Sequence, residues 1–136
     1  MILQEKELFN LLKKFIFPDL EQSEDKLSKY DCFSVDKGVD IELKCRRKHY
    51  DDLMIEKMKF DFLMLRADKY NTKPIYINST PKGVWSFRIS LLVAPTWEDR
   101  RMPITTDFSN NNMIIKQVGY YNVSLGKDLT TILKLE

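Results

Sequence analysis

The apolar positions of this chain change period several times, and each change marks an element. Leu8, Leu11, Leu12 and Phe15 recur at helical spacing and predict a helix over residues 2–16, which Pro18 ends. Residues 19–28 are polar and predict a connection. Over Tyr30–Val35, and again over Val39–Arg46, the reading changes to strand. In the second stretch Val39, Ile41, Leu43 and Cys45 point one way, and Asp40, Glu42, Lys44 and Arg46 the other. Asp36-Lys37-Gly38 between them predicts a tight turn and so a hairpin. Residues 50–67 predict a second helix with a wide apolar face: Leu53, Met54, Met58, Leu63 and Leu65, with Phe60 and Phe62 adding bulk. Strands follow over Lys73–Asn78 and Val84–Ile89, joined by a turn at Pro81-Lys82-Gly83. Residues 94–113, with two prolines and Asn110-Asn111-Asn112, predict a long excursion. Residues 114–125 predict a last strand, and a short helical tail starts at Lys127. A helix between two groups of strands predicts an α/β (α+β) fold, a mixed sheet with helices packed on it.

The turn of the hairpin decides which side chains meet. With Lys37-Gly38 as a two-residue turn, Asp31 lies opposite Lys44; with Asp36-Lys37, opposite Glu42. Directly opposed residues share a face, so both registers join Asp31 to Glu42 and Lys44. A three-residue turn puts it opposite Leu43, on the wrong face. Gly38 favours a two-residue turn, whose second position often needs positive φ.

Composition narrows the field. The chain has 136 residues, 43% hydrophobic and 31% charged, which fits one soluble domain with a substantial core. No apolar run approaches the roughly 18 residues of a membrane span. Gln4, Glu5, Lys6 and Glu7 interrupt the N-terminus at once, so no signal peptide is expected and the chain is read as cytoplasmic. A net charge of +2 does not by itself indicate nucleic acid. Cys32 and Cys45 read as small buried hydrophobes, and with the lone His49 they cannot build a four-ligand zinc site. His49 reads as a surface side chain. Four glycines leave no Gly-rich phosphate loop. Trp85 and Trp97 read as packing, with base stacking as the functional alternative for Trp97.

Two carboxylates and an ammonium on one face fit a divalent ion. Such an ion takes oxygen ligands, and one or two carboxylates plus a substrate phosphate suffice. Asp31 and Glu42 supply the carboxylates, the backbone carbonyl of Leu43 lies between Glu42 and Lys44 in sequence, and Lys44 can hold an attacking water or face charge developing on phosphorus. The bland alternative is a solvated sheet face whose alternating charges pair along it.

Asp31, ten intervening residues and then Glu42-Leu43-Lys44 resemble the D…(D/E)xK signature of the restriction-endonuclease-like, PD-(D/E)xK, nuclease superfamily. The similarity covers roughly residues 3–90 and points to small phage-type or Holliday-junction-resolvase-like members. Residue 30 is tyrosine where the signature has proline, and residues 91–136 match nothing specific in it, so they read as a C-terminal extension of the single domain 1–136. The resemblance implies a Mg²⁺-dependent endonuclease acting on DNA, with Mn²⁺ as a substitute. Asp31, Glu42 and Lys44 are its implied catalytic residues. Asp31, Glu42, the Leu43 carbonyl and Glu5 from the first helix are its implied metal ligands, with Glu7 as the fallback for Glu5. Arg46, Arg47, Lys48, Tyr50 and Lys59 are its implied DNA contacts, with Glu56 a further polar residue facing the site. It also implies a homodimer and no membrane, in the cytoplasm, or a host's cytoplasm if phage-encoded. Two rivals stand beside it: a non-catalytic nucleic-acid- or protein-binding module on the same fold, and an unrelated α+β regulatory protein in which Asp31 and Glu42 lie far apart.

Overall fold

The computed structural model describes residues 1–24, 31–104 and 112–135. Tyr30, Asn110 and Asn111 lie outside them. Helix α1 spans Glu5–Phe15 and buries Leu8 and Leu12. Strands β1 (Glu21–Gln22), β2 (Cys32–Ser34), β3 (Val39–Cys45) and β4 (Asp52–Glu56) follow, then helix α2 (Lys57–Tyr70). The rest is β5 (Lys73–Thr80), β6 (Gly83–Arg88), β7 (Glu98–Pro103), β8 (Met113–Asn122) and β9 (Lys127–Asp128). Six strands form the central sheet in the order β1-β2-β3-β5-β6-β9, and β4-β8-β7 form a second, antiparallel sheet. Among the described strands only the β3–β5 pair is parallel, and the long crossover through β4 and α2 is the connection such a pair needs.

Both faces of the central sheet are covered. Leu8 and Leu12 of α1 pack with Cys32, Val39, Ile41 and Leu43 on one face. On the other, Tyr76 and Phe87 pack with Leu63 of α2 and with Leu53, Ile55 and Tyr121 of the second sheet. The polar row of β3 is therefore inside the protein. Asp40 is 4% exposed, and Asp31 and Glu42 are each 9% exposed, so the solvated-face alternative fails.

Three boundaries differ from the sequence reading. Residues 52–56, expected as helix, form β4, because Leu53 and Ile55 alternate with Met54 and Glu56. The excursion at 94–113 contains β7, which pairs with β8 over Glu98↔Val118 to Pro103↔Met113. The expected helical tail begins as β9 on the edge of β6 and then makes a single turn, with Leu133 N–H donating to Leu129 O at 3.0 Å. Thus the C-terminal segment supplies strands to both sheets.

Candidate metal and nucleic-acid site

The hairpin register pairs Cys32 with Ile41, Phe33 with Asp40 and Ser34 with Val39. One further step puts Asp31 opposite Glu42, one of the two expected partners. The loop is longer than expected: four residues, Val35–Gly38, closed by Gly38 N–H to Val35 O at 3.2 Å. Gly38 still takes the positive φ, at 63°. Asp19 fixes this loop from outside. Its carboxylate accepts from Ser34 Oγ at 2.6 Å and from Asp36 N–H at 2.9 Å, while Ser34 Oγ accepts from Lys37 N–H at 3.1 Å.

The peptide groups follow from two bonds at the ends of the β3–β5 pair. Lys73 N–H donates to Gly38 O, and Arg46 N–H donates to Ser79 O, both at 2.8 Å. Even-numbered residues of β3 therefore turn their peptide groups to β5, and Leu43 turns its carbonyl to the β2 side, where Asp31 lies. By the same parity Asp31 and Glu42 are a non-hydrogen-bonded pair, the class with Cα atoms about 4.5 Å apart and side chains closest. Two carboxylates and a backbone carbonyl thus lie along one short stretch between neighbouring strands. All are hard oxygen donors, the set that suits Mg²⁺ or Mn²⁺.

Lys44 is half-buried beside them. Burial pushes its ammonium below the usual lysine range; Arg46 and Lys59 add to this, and Glu5 and Glu56 oppose it. Glu5 also acts on the Cys45 thiol, so the first turn of α1 reaches the end of β3 electrostatically. Glu7 is differently employed, its Oε1 accepting from Gln4 N–H at 3.1 Å at the start of α1. Among the described residues no three His, Cys, Asp or Glu side chains converge into a ready-made metal cluster. Both cysteines are free, and burial pushes each thiol up to about 12.

The cations divide into two groups. Arg46 faces inward: Nε donates to Asn78 Oδ1 at 3.0 Å, and Nη2 to Met54 O at 2.5 Å and Tyr76 Oη at 3.3 Å. It clamps β4 to the central sheet. Arg47, Lys48 and Tyr50 are exposed on the turn that follows. His49 anchors that turn, Nδ1 lying 2.8 Å from Thr80 Oγ1 and Nε2 3.1 Å from Asp51 Oδ1, with its ring against Trp85. Lys59 of α2 lies 3.3 Å from Glu42 Oε1, whereas Arg66 of the same helix holds Asp40 at 2.9 Å. Trp97 packs edge-on against Phe60 and over Gly119.

The second sheet brings cations that the sequence pattern does not single out. Lys116 pairs with Glu56 at 2.7 Å, and Arg100 Nη1 donates to Tyr120 Oη at 2.7 Å. The register places Glu56 and Tyr120 on the same face of that sheet. The period-two stretch from Leu53 to Glu56 was the signal available for it.

No family model matches the sequence, and no curated protein does. A solved structure does resemble this chain: Hjc of Archaeoglobus fulgidus, a Holliday junction resolvase from an archaeal hyperthermophile. The two agree with a TM-score of 0.59 over 96% of this chain and 92% of that one, at 14% identity. The chain shares the fold of that resolvase. At this identity the likeness is one of architecture: the mixed sheet, its two helices and the motif-bearing hairpin have the restriction-endonuclease-like arrangement expected from the sequence. No helix among the described residues is long and apolar enough to cross a membrane.

Proposed function

We propose that the chain is a divalent-metal-dependent endonuclease that hydrolyses phosphodiester bonds in branched DNA, acting as a homodimer in the cytoplasm. The observation that carries this reading is the register placing Asp31 opposite Glu42, with Lys44 two residues further along the same face. The resolvase named above supports junction DNA as the substrate class.

Asp31, Glu42 and the Leu43 carbonyl would hold the ion, with Glu5 adding negative charge from α1. When bound, the ion acts as a Lewis acid on the scissile phosphate and lowers the pKa of a water. The protein's residues do the rest. Lys44, on the face of Glu42, orients the attacking water and lies where charge accumulates on phosphorus. Its partial burial strips competing solvent from the ammonium. Arg47, Lys48 and Tyr50, exposed on one turn, meet the DNA backbone and position it without reading sequence. Arg46 serves them indirectly by fixing the start of that turn.

Cleavage of a labelled four-way junction, compared with linear duplex and single strands in millimolar Mg²⁺, tests this. Wild type should cut the junction, while Glu42→Gln and Lys44→Ala should each lose at least about 100-fold with the fold intact by circular dichroism. Junction binding without cleavage by any protein would favour the non-catalytic module instead. Unchanged activity in Lys44→Ala would remove the lysine from the mechanism.

A further inference from the structure

Resting on the metal-dependent reading above, we infer that Lys59 is the resident counter-ion of the metal site: its ammonium holds Glu42 until a divalent cation takes that carboxylate, and it is then released toward a substrate phosphate. Helix α2 sets two cations against two carboxylates of β3, and the two pairs are built differently. Arg66 Nε holds Asp40 Oδ1 at 2.9 Å, the Thr72 hydroxyl donates to the other Asp40 oxygen, and the Asp40 side chain is only 5% exposed. That carboxylate is committed to the fold, since a planar guanidinium makes a fixed, directional partner. Glu42 is held by Lys59 at 3.3 Å, and the Lys59 side chain is 36% exposed.

An ammonium is a compact point charge on a flexible four-carbon stem and binds without fixed geometry. Lys59 can therefore leave Glu42 without disturbing α2, whose packing rests on Leu63 and Ala67. The need for a cation is intrinsic to the register. Asp31 and Glu42 face one another across two strands, and like charges so opposed are unfavourable. A doubly charged ion ligated by both carboxylates meets that need better than one ammonium does. Once displaced, Lys59 stays tethered to α2 beside Lys44, whose electrostatic surroundings include it. A phosphate drawn to the ion would meet both ammoniums. Metal and DNA should then bind with positive, reciprocal coupling.

The test uses the intact chain with Mn²⁺ alone, titrated calorimetrically at low salt into wild type, Lys59→Gln and Glu42→Gln. Lys59→Gln should bind Mn²⁺ about two- to fivefold more tightly than wild type, the range of a partly exposed ion pair. Glu42→Gln should lose most of the binding. Fluorescence anisotropy of a four-way junction with and without Ca²⁺ reads the second half: Ca²⁺ should tighten wild-type binding more than that of Lys59→Gln. Equal or weaker Mn²⁺ affinity in Lys59→Gln, with Glu42→Gln still defective, would overturn the exchange and leave the metal site standing. Equal Ca²⁺ enhancement in both proteins would overturn the release toward phosphate. Mn²⁺ binding indifferent to Glu42→Gln, or none at all, would overturn the metal reading and the exchange together.

Discussion

Asp19 shows how a surface side chain can govern a buried register. Its bonds from Ser34 Oγ and Asp36 N–H hold the four-residue loop, and with it the pairing that sets Asp31 against Glu42. Those bonds, Ser34 first, lower its carboxyl below the ordinary value. A carboxyl lowered by folding adds stability that is full above its unfolded pKa, near 4, and is lost as pH falls through the folded value. Wild type should therefore lose melting temperature on acidification below about pH 4 more steeply than Asp19→Asn, which should start lower at neutral pH. Parallel curves for the two would deny Asp19 this role. None of this was legible in the sequence: the hairpin pattern names Asp31, Glu42 and Lys44, but nothing in it points twelve residues upstream of Asp31. Arg46 illustrates the converse. It continues the polar row of β3 and reads as a phosphate contact, yet burial turns its guanidinium to Met54, Asn78 and Tyr76.

Among the elements, those with one period throughout were legible and those with a change of period were not. Helix α1 and strand β3 keep a single repeat, and both formed close to where their patterns put them. Residues 50–67 pool two repeats, so the pattern predicts helix across a five-residue strand with Leu53 and Ile55 inside. The structure makes β4 the seam between the two sheets: it pairs with β8, and Leu53 and Ile55 pack with Tyr76 and Phe87 of the central sheet. Leu53→Ala should accordingly cost about 2–5 kcal/mol in urea denaturation, the range for emptying a buried leucine site. A helix-surface residue would cost far less, so a loss below about 1 kcal/mol would contradict the strand assignment. Strand β7 leaves no signal in the sequence, because its residues are almost all exposed and carry no apolar alternation.

At the scale of the whole molecule, both faces of the central sheet are covered, yet α2 keeps an apolar stripe outside. Met58 and Leu65 are 73% and 70% exposed, and Phe62 between them is 39% exposed, at helical spacing i, i+4, i+7. Such a stripe suits the contact surface of the proposed homodimer, which would let one assembly present two sites to a junction. Leu65→Glu should shift the sedimentation of the protein toward monomer, whereas an unchanged profile would place the dimer contact elsewhere. The proposed metal site occupies a smaller space, the gap between two neighbouring strands. Crystals soaked in millimolar Mn²⁺ and measured at the manganese absorption edge test it most directly. An anomalous peak is expected between the Asp31 and Glu42 carboxylates, and it should disappear in Glu42→Gln. A well-ordered hairpin with no peak there would contradict the proposed site.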